Sequence, residues 1–135
     1  MKASATYKVE KWKEETWKDI SPEVKMTKAS VEFSFQGEIE GKTTVEYLMF
    51  YKYFNAKDQH KALAEYVGMM QFDGKLNGKS GSFALEDKGV FEAGAAQSTL
   101  KILEGSATNE LKGIKGIAQY RADAAGNHFE LDYDL

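Results

Sequence analysis

The stretch SVEFSFQGEIEGKTTVEYLMFYKYF, residues 30–54, carries the reading of the fold. In its first part Val31, Phe33 and Phe35 interleave with Ser30, Glu32 and Ser34, a period of two that puts apolar groups on one face of a strand and polar groups on the other. QGEIEG, residues 36–41, then reads as a hairpin connection into residues 42–54. The last part, TVEYLMFYKYF, surrounds a single carboxylate, Glu46, with apolar and aromatic side chains. A carboxylate in such surroundings is costly unless it is paired or protonated, so its direction matters. Val45, Tyr47, Met49 and Tyr51 share one face, and Glu46 shares the other with Leu48, Phe50 and Phe54. If each strand turns its most apolar face inward, the odd face lines the interior and Glu46 points outward, to a rim or an interface. The even face is nearly as apolar, which implies that something covers it, and a partner subunit is the expected cover.

The same alternation recurs outward from this stretch. Ala3, Ala5, Tyr7 and Val9 alternate with polar residues, as do Phe83 and Leu85, Leu100 and Ile102, Ala118 and Tyr120, and Phe129, Leu131, Tyr133 and Leu135. Gly and Asn/Asp marks, among them Gly37, Gly41, Gly68, Asp73-Gly74, Asn77-Gly78, Gly81, Gly89 and Gly116, separate runs of strand length. Short strands joined by short loops give sequential antiparallel neighbours, and closing the sheet removes exposed edges. The expectation is an all-β chain forming one domain over residues 1–135. The expected architecture is a single eight-stranded antiparallel, lipocalin-like β-barrel, a size whose interior holds packed side chains or one small ligand. Two segments resist this scheme. DQHKALAEYVGMMQF, residues 58–72, has Leu63, Val67 and Met70 at helical spacing, so a short helix from Asp58 rivals a strand. Lys13 to Lys25, which holds the one proline, Pro22, reads as an exposed connection.

Charge and motifs exclude several functions. Lys and Arg number 18 against 21 Asp and Glu, a net charge of −3, and Arg121 is the one arginine, so a grip on phosphate backbones is not expected. There is no cysteine, no signal-peptide core in the first twenty residues and no run approaching a membrane span. The expected setting is cytoplasmic, without nucleic acid or membrane. His60 and His128 are far apart, and His128, Glu130, Asp132 and Asp134 share a strand face that reads as solvated rather than as a cation site. GKLNGKSG, residues 74–81, lacks phosphate-loop order, and KSGSF, residues 79–83, is not a nucleophile elbow. No metal, cofactor or catalytic nucleophile is expected.

TVEYLM (44–49), GKSGSFAL (78–85), EGSATNELKGIKG (104–116) and ELDYDL (130–135), in this order, resemble a bacterial family of uncharacterised small proteins, the domain of unknown function 3224. The third block also resembles a turn of plant allene oxide cyclases and dirigent proteins, with Ala107 and Asn109 where those often have glycine. The resemblance implies an allene oxide cyclase-like barrel with a central cavity, assembly into homo-oligomers and no cofactor. It carries no activity, because the matching blocks are turns and core strands.

Three functions follow as expectations, in this order. The first is a barrel that binds a small apolar ligand against Phe33, Tyr47, Met49, Tyr51 and Tyr120. The second is an interaction protein, a homo-oligomer whose barrel is filled. The third is a cofactor-free isomerase or cyclase using Glu46 or Glu65 as its acid or base, a role that requires the carboxylate to face the cavity.

Overall fold

A computed structural model describes all residues, Met1–Leu135. The strands are β1 (Lys2–Ser21), β2 (Val24–Gly37), β3 (Ile39–Tyr53), β4 (Leu63–Leu76), β5 (Lys79–Glu92), β6 (Ala95–Ile102), β7 (Lys115–Asp123) and β8 (Gly126–Asp134). Each pairs antiparallel with the next, and β1 pairs with β8 from Lys2 opposite Asp132 to Thr6 opposite His128. One antiparallel sheet therefore closes on itself in a ring. The two halves of the opening stretch face each other in it, with Val31 opposite Val45 and Gly37 and Glu38 making the turn.

The odd face of β3 points inward: Val45, Tyr47, Met49 and Tyr51 are buried. The ring has two dissimilar ends. One, which holds both chain termini, is filled by phenylalanines, with Phe35 packed against Phe129 at 5.0 Å and Phe72 against Phe83 at 5.1 Å between ring centroids. The connection from β6 to β7 folds back over this end and buries Leu111 and Ile114. Thr108 N donates to Ser82 O to hold it there. The other end is lined by tyrosines. Beyond it the β1–β2 hairpin runs on as an arm, because β8 pairs with β1 only as far as Thr6.

Three local expectations are corrected. Residues 58–72 form no α-helix; one 3-10 turn, Gln59–Lys61, is capped by Asp58 Oδ1 accepting from His60 N. From Leu63 onward the chain is extended because β3 and β5 flank it on both sides, and that pairing overrides the helical spacing. Ala64, Tyr66, Met70 and Phe72 face in, while Leu63, Val67 and Met69 face solvent. Lys13 to Lys25 is no loose connection but the paired arm, from Lys13 opposite Ser30 to Ser21 opposite Val24. Pro22 sits in its tip, where a missing N–H breaks no ladder bond. Finally, Gly41, Gly68, Gly74, Gly81, Gly89 and Gly116 lie inside strands rather than at turns.

Gly41 and Gly74 mark a close approach of β3 and β4: a Cβ on Gly74 would lie 2.0 Å from Glu40 O and 2.8 Å from Gly41 Cα. Backbone cannot yield there without moving a strand. Gly74→Ala should lower the unfolding free energy in urea by about 1–3 kcal/mol. An unchanged midpoint would show that the two strands do not approach so closely.

Candidate functional site

Strand register brings four tyrosines, one serine and one aspartate together inside the ring. Tyr47 on β3 sits opposite Gly68 on β4, and Gly68 sits opposite Asp87 on β5. A Cβ on Gly68 would lie 2.7 Å from the Tyr47 ring, so only glycine lets the ring cross β4. The Tyr47 hydroxyl thereby donates to Asp87 Oδ2 at 2.9 Å, two strands away. The arrangement repeats one step round the ring. Tyr66 sits opposite Gly89, Gly89 opposite Ser98, and a Cβ on Gly89 would lie 2.4 Å from the Tyr66 hydroxyl. That hydroxyl is 2.6 Å from Ser98 Oγ. Tyr120 on β7, opposite Ser98, closes the set, with its hydroxyl 2.8 Å from that of Tyr47 and 3.1 Å from that of Tyr66.

Asp87 is the buried acid of the ring, with 2% of its surface exposed. Burial penalises its ionised form and raises its pKa from 3.8 to about 6, against the opposing pull of the Ser98 and Tyr47 hydroxyls. Burial also raises Tyr47 and Tyr120 well above the usual tyrosine value, reinforced by the charge of Asp87, and raises Tyr66. All three are therefore neutral hydroxyls near pH 7. An ionised Asp87 can only accept, so Tyr47 donates to it and Tyr120 in turn donates to Tyr47, while the Tyr66 hydroxyl is shared among Tyr120, Ser98 and Gln97 O, the last at 3.4 Å. Asp87 Oδ1 and the Tyr7 hydroxyl have no partner within the protein.

Above this network lies a pocket of about 110 Å³, walled by Phe33, Met49, Phe91 and the rings of Tyr7, Tyr47 and Tyr120. Ala96 and Ala122 leave room at its side. It shares Trp12, Met49 and Phe91 with a second hollow of about 340 Å³ under the β1–β2 arm, so the two adjoin. The outer hollow is polar at one point. Glu14 accepts from Tyr51 Oη at 2.8 Å, Thr27 Oγ1 at 2.7 Å and Trp12 Nε1 at 3.0 Å. Lys25 Nζ lies 3.5 Å from the centre of the Phe54 ring. A larger hollow of about 1150 Å³, open to solvent, runs from Leu48, Phe50, Glu65, Val67 and Lys88 on the outer face of β3 to β5 on to Thr99, Gln119, Arg121 and Glu130 on β6 to β8, and its lining includes Tyr66, Ser98 and Tyr120.

The residues named from the sequence divide between these places. Phe33, Tyr47, Met49 and Tyr120 come together at the inner pocket, and Tyr51 lies one step outward beside Glu14. Glu46 and Glu65 are not with them. Glu46 is on the outer face and accepts from Ser30 Oγ, its cross-strand neighbour. Glu65 is exposed beside Lys52 Nζ at 2.9 Å, and that hydrogen bond lowers its pKa. His128, Glu130, Asp132 and Asp134 also lie on the exposed face. Reasoning on the sequence missed Asp87, Tyr7, Tyr66 and Ser98 as site residues. Period two from Phe83 and Leu85 carries the inward face to Asp87, and from Ile102 and Leu100 to Ser98, so the signal was present.

The model of a family described as "Protein of unknown function (DUF3224)" matches residues 3–135. The chain belongs to this family. A crystal structure of a DUF3224 protein of unknown function from Shewanella oneidensis MR-1 is similar over 100% of this chain and 97% of that one, at 21% identity and a TM-score of 0.75. That likeness is one of fold. A comparison with curated proteins returns no match.

The buried carboxyl makes stability depend on pH in a defined direction. Its pKa is about 6 folded and near 3.8 unfolded, so between those values the folded chain binds the extra proton and stability falls as pH rises. A shift of this size corresponds to roughly 3 kcal/mol. Asp87→Asn should remove that slope in urea unfolding between pH 4 and 7, and should gain on the wild type as pH rises. Parallel pH curves for the two proteins would refute the buried acid.

Proposed function

We propose that this chain is a binding protein whose ligand is a small, mostly apolar molecule held inside the ring of strands. The observation that carries this reading is the inner pocket, apolar and aromatic in its walls and backed by hydrogen-bonded hydroxyls. Ligand sites commonly combine apolar walls with a few fixed polar groups. The ring is filled at its phenylalanine end and hollow at its tyrosine end, so the hollow end is the natural seat. Its shape, a cavity inside an allene oxide cyclase-like or lipocalin-like barrel, belongs to this reading too.

The isomerase reading loses the two carboxylates first named for it, since Glu46 and Glu65 face outward. Asp87 is inside, but it stands behind Tyr47 and is reached from the pocket through neutral hydroxyls that are poor proton acceptors. Binding therefore ranks above proton transfer. Self-association is the second reading. Leu48, Val67 and Met69 are each about half exposed and adjoin on the outer face of β3 and β4, which favours a covered surface there.

Nitrogen-15 NMR titration with a set of neutral apolar fragments tests the reading. Shifts should cluster at Ala96, Ala122 and Asn127, and Ala122→Phe, which fills the pocket, should abolish them while leaving the fold intact by circular dichroism. Shifts confined to Leu48 and Val67, or none at all, would overturn it.

A further inference from the structure

The hollow under the β1–β2 arm carries two opposite charges that form no ion pair, either with each other or with any other side chain. Glu14 and Lys25 are the only charged residues in the walls of this hollow and of the inner pocket it adjoins. A shift of register between Val9 and Lys11 reverses the parity of β1, so Trp12, Glu14 and Thr16 turn to the inner side of the arm where Ala3, Ala5 and Tyr7 did so before it. Such a bulge re-aims side chains at the mouth of a closed sheet. Lys25 follows the unbroken parity of β2 and sits opposite Tyr51.

Each charge is held apart from the other by neutral partners. Glu14 accepts from the Tyr51, Thr27 and Trp12 side chains, and Lys25 Nζ rests 3.5 Å from the centre of the Phe54 ring. Tyr51 touches both, since its hydroxyl donates to Glu14 and Lys25 Nζ lies over its ring at 5.5 Å from the centre. Both charged residues are half-buried, so each is partly stripped of water and still open to the hollow they line. A singly charged guest would satisfy one of them and bring a like charge to the other. A guest bearing both signs on neighbouring atoms would satisfy the two together.

The inner pocket sets the rest of the molecule. A dry apolar cavity of about 150 Å³ holds one benzene ring, so a pocket of about 110 Å³ has room for a single ring. Trp12, Met49 and Phe91 border both spaces, which puts a ring in the inner one within reach of a head in the outer one, of about 340 Å³.

Resting on the binding reading above, we infer that the ligand is an aromatic α-amino acid in its zwitterionic form. Its ring fills the inner pocket, its ammonium meets Glu14 and its carboxylate meets Lys25.

Calorimetric titrations at pH 7 with L-phenylalanine, phenethylamine and 3-phenylpropanoate, which share the ring and differ in charge, test this. Phenylalanine should bind about tenfold more tightly than either singly charged probe, the worth of one added charge-assisted contact. In Lys25→Met, which keeps the stem over Phe54, its lead over phenethylamine should vanish. In Glu14→Gln, which keeps an acceptor oxygen for Tyr51, its lead over 3-phenylpropanoate should vanish. Equal binding of the three probes to the wild type, tightest binding of a singly charged one, or a lead that survives either substitution would overturn the inference and leave the binding reading standing. Failure of all three to bind would overturn the inference too, and the binding reading falls with it only if the neutral fragments also leave Ala96 and Ala122 unshifted. The three-probe comparison on the wild type decides the matter even if a variant does not fold.

Discussion

A carboxylate enclosed by a sheet must be held by donors from inside that sheet, and Tyr47 supplies one to Asp87 across an intervening strand. This hydrogen bond makes demands in both directions along the ring. Gly68 must lack a side chain for the Tyr47 ring to lie over it, and β3, β4 and β5 must keep the register that puts Tyr47, Gly68 and Asp87 in one row. A slip of one residue in β3 would turn Tyr47 outward and leave the acid buried without that donor, one in β4 would put a side chain in the path of the Tyr47 ring, and one in β5 would turn Asp87 itself outward. The second step, from Tyr66 over Gly89 to Ser98, ties β4 to β6 by the same means, and Tyr120 joins the two steps. The interior is thus set by polar chemistry at one end and by phenylalanine packing at the other.

That division explains why the two ends differ in what they can do. Phenylalanines and the folded-back connection fill the first end and leave no space for a guest. At the second end the hydroxyls must meet one another, which holds their rings at an angle rather than stacked; the Tyr47 and Tyr66 rings cross at 75°. Small side chains at Ala96 and Ala122 then leave the wall incomplete. The long β1–β2 arm shelters the opening, and Glu14 within it ties the arm to β3 through Tyr51. Neutral tyrosines under an apolar pocket are suited to recognising a molecule and poorly suited to taking a proton from it.

Much of the ring was legible because period-two alternation is a direct imprint of a sheet with one buried face. Parity alone sends Tyr47 and Met49 inward and Glu46 outward, and it would have sent Asp87 inward had it been followed beyond Leu85. Two kinds of information were out of reach of local pattern. One is context: Leu63, Val67 and Met70 keep helical spacing, yet pairing on both flanks of β4 decides their conformation. The other is the meaning of glycine. Gly68 and Gly89 look like turn marks in the sequence, whereas their task is to let a tyrosine from the next strand cross overhead. Parity gives the direction of Asp87, but which hydroxyls reach it shows only in the register.

The claim on which the account stands is that Asp87 is a buried acid held by Tyr47. Carbon-13 NMR of the aspartate side-chain carboxyls, followed from pH 3 to pH 8 and assigned with Asp87→Asn, reads this directly. The account predicts one aspartate titrating at about 6, set apart from the rest, and moving higher still in Tyr47→Phe because its donor is gone. An Asp87 signal that titrates near 3.8, or that does not respond to Tyr47→Phe, would contradict it.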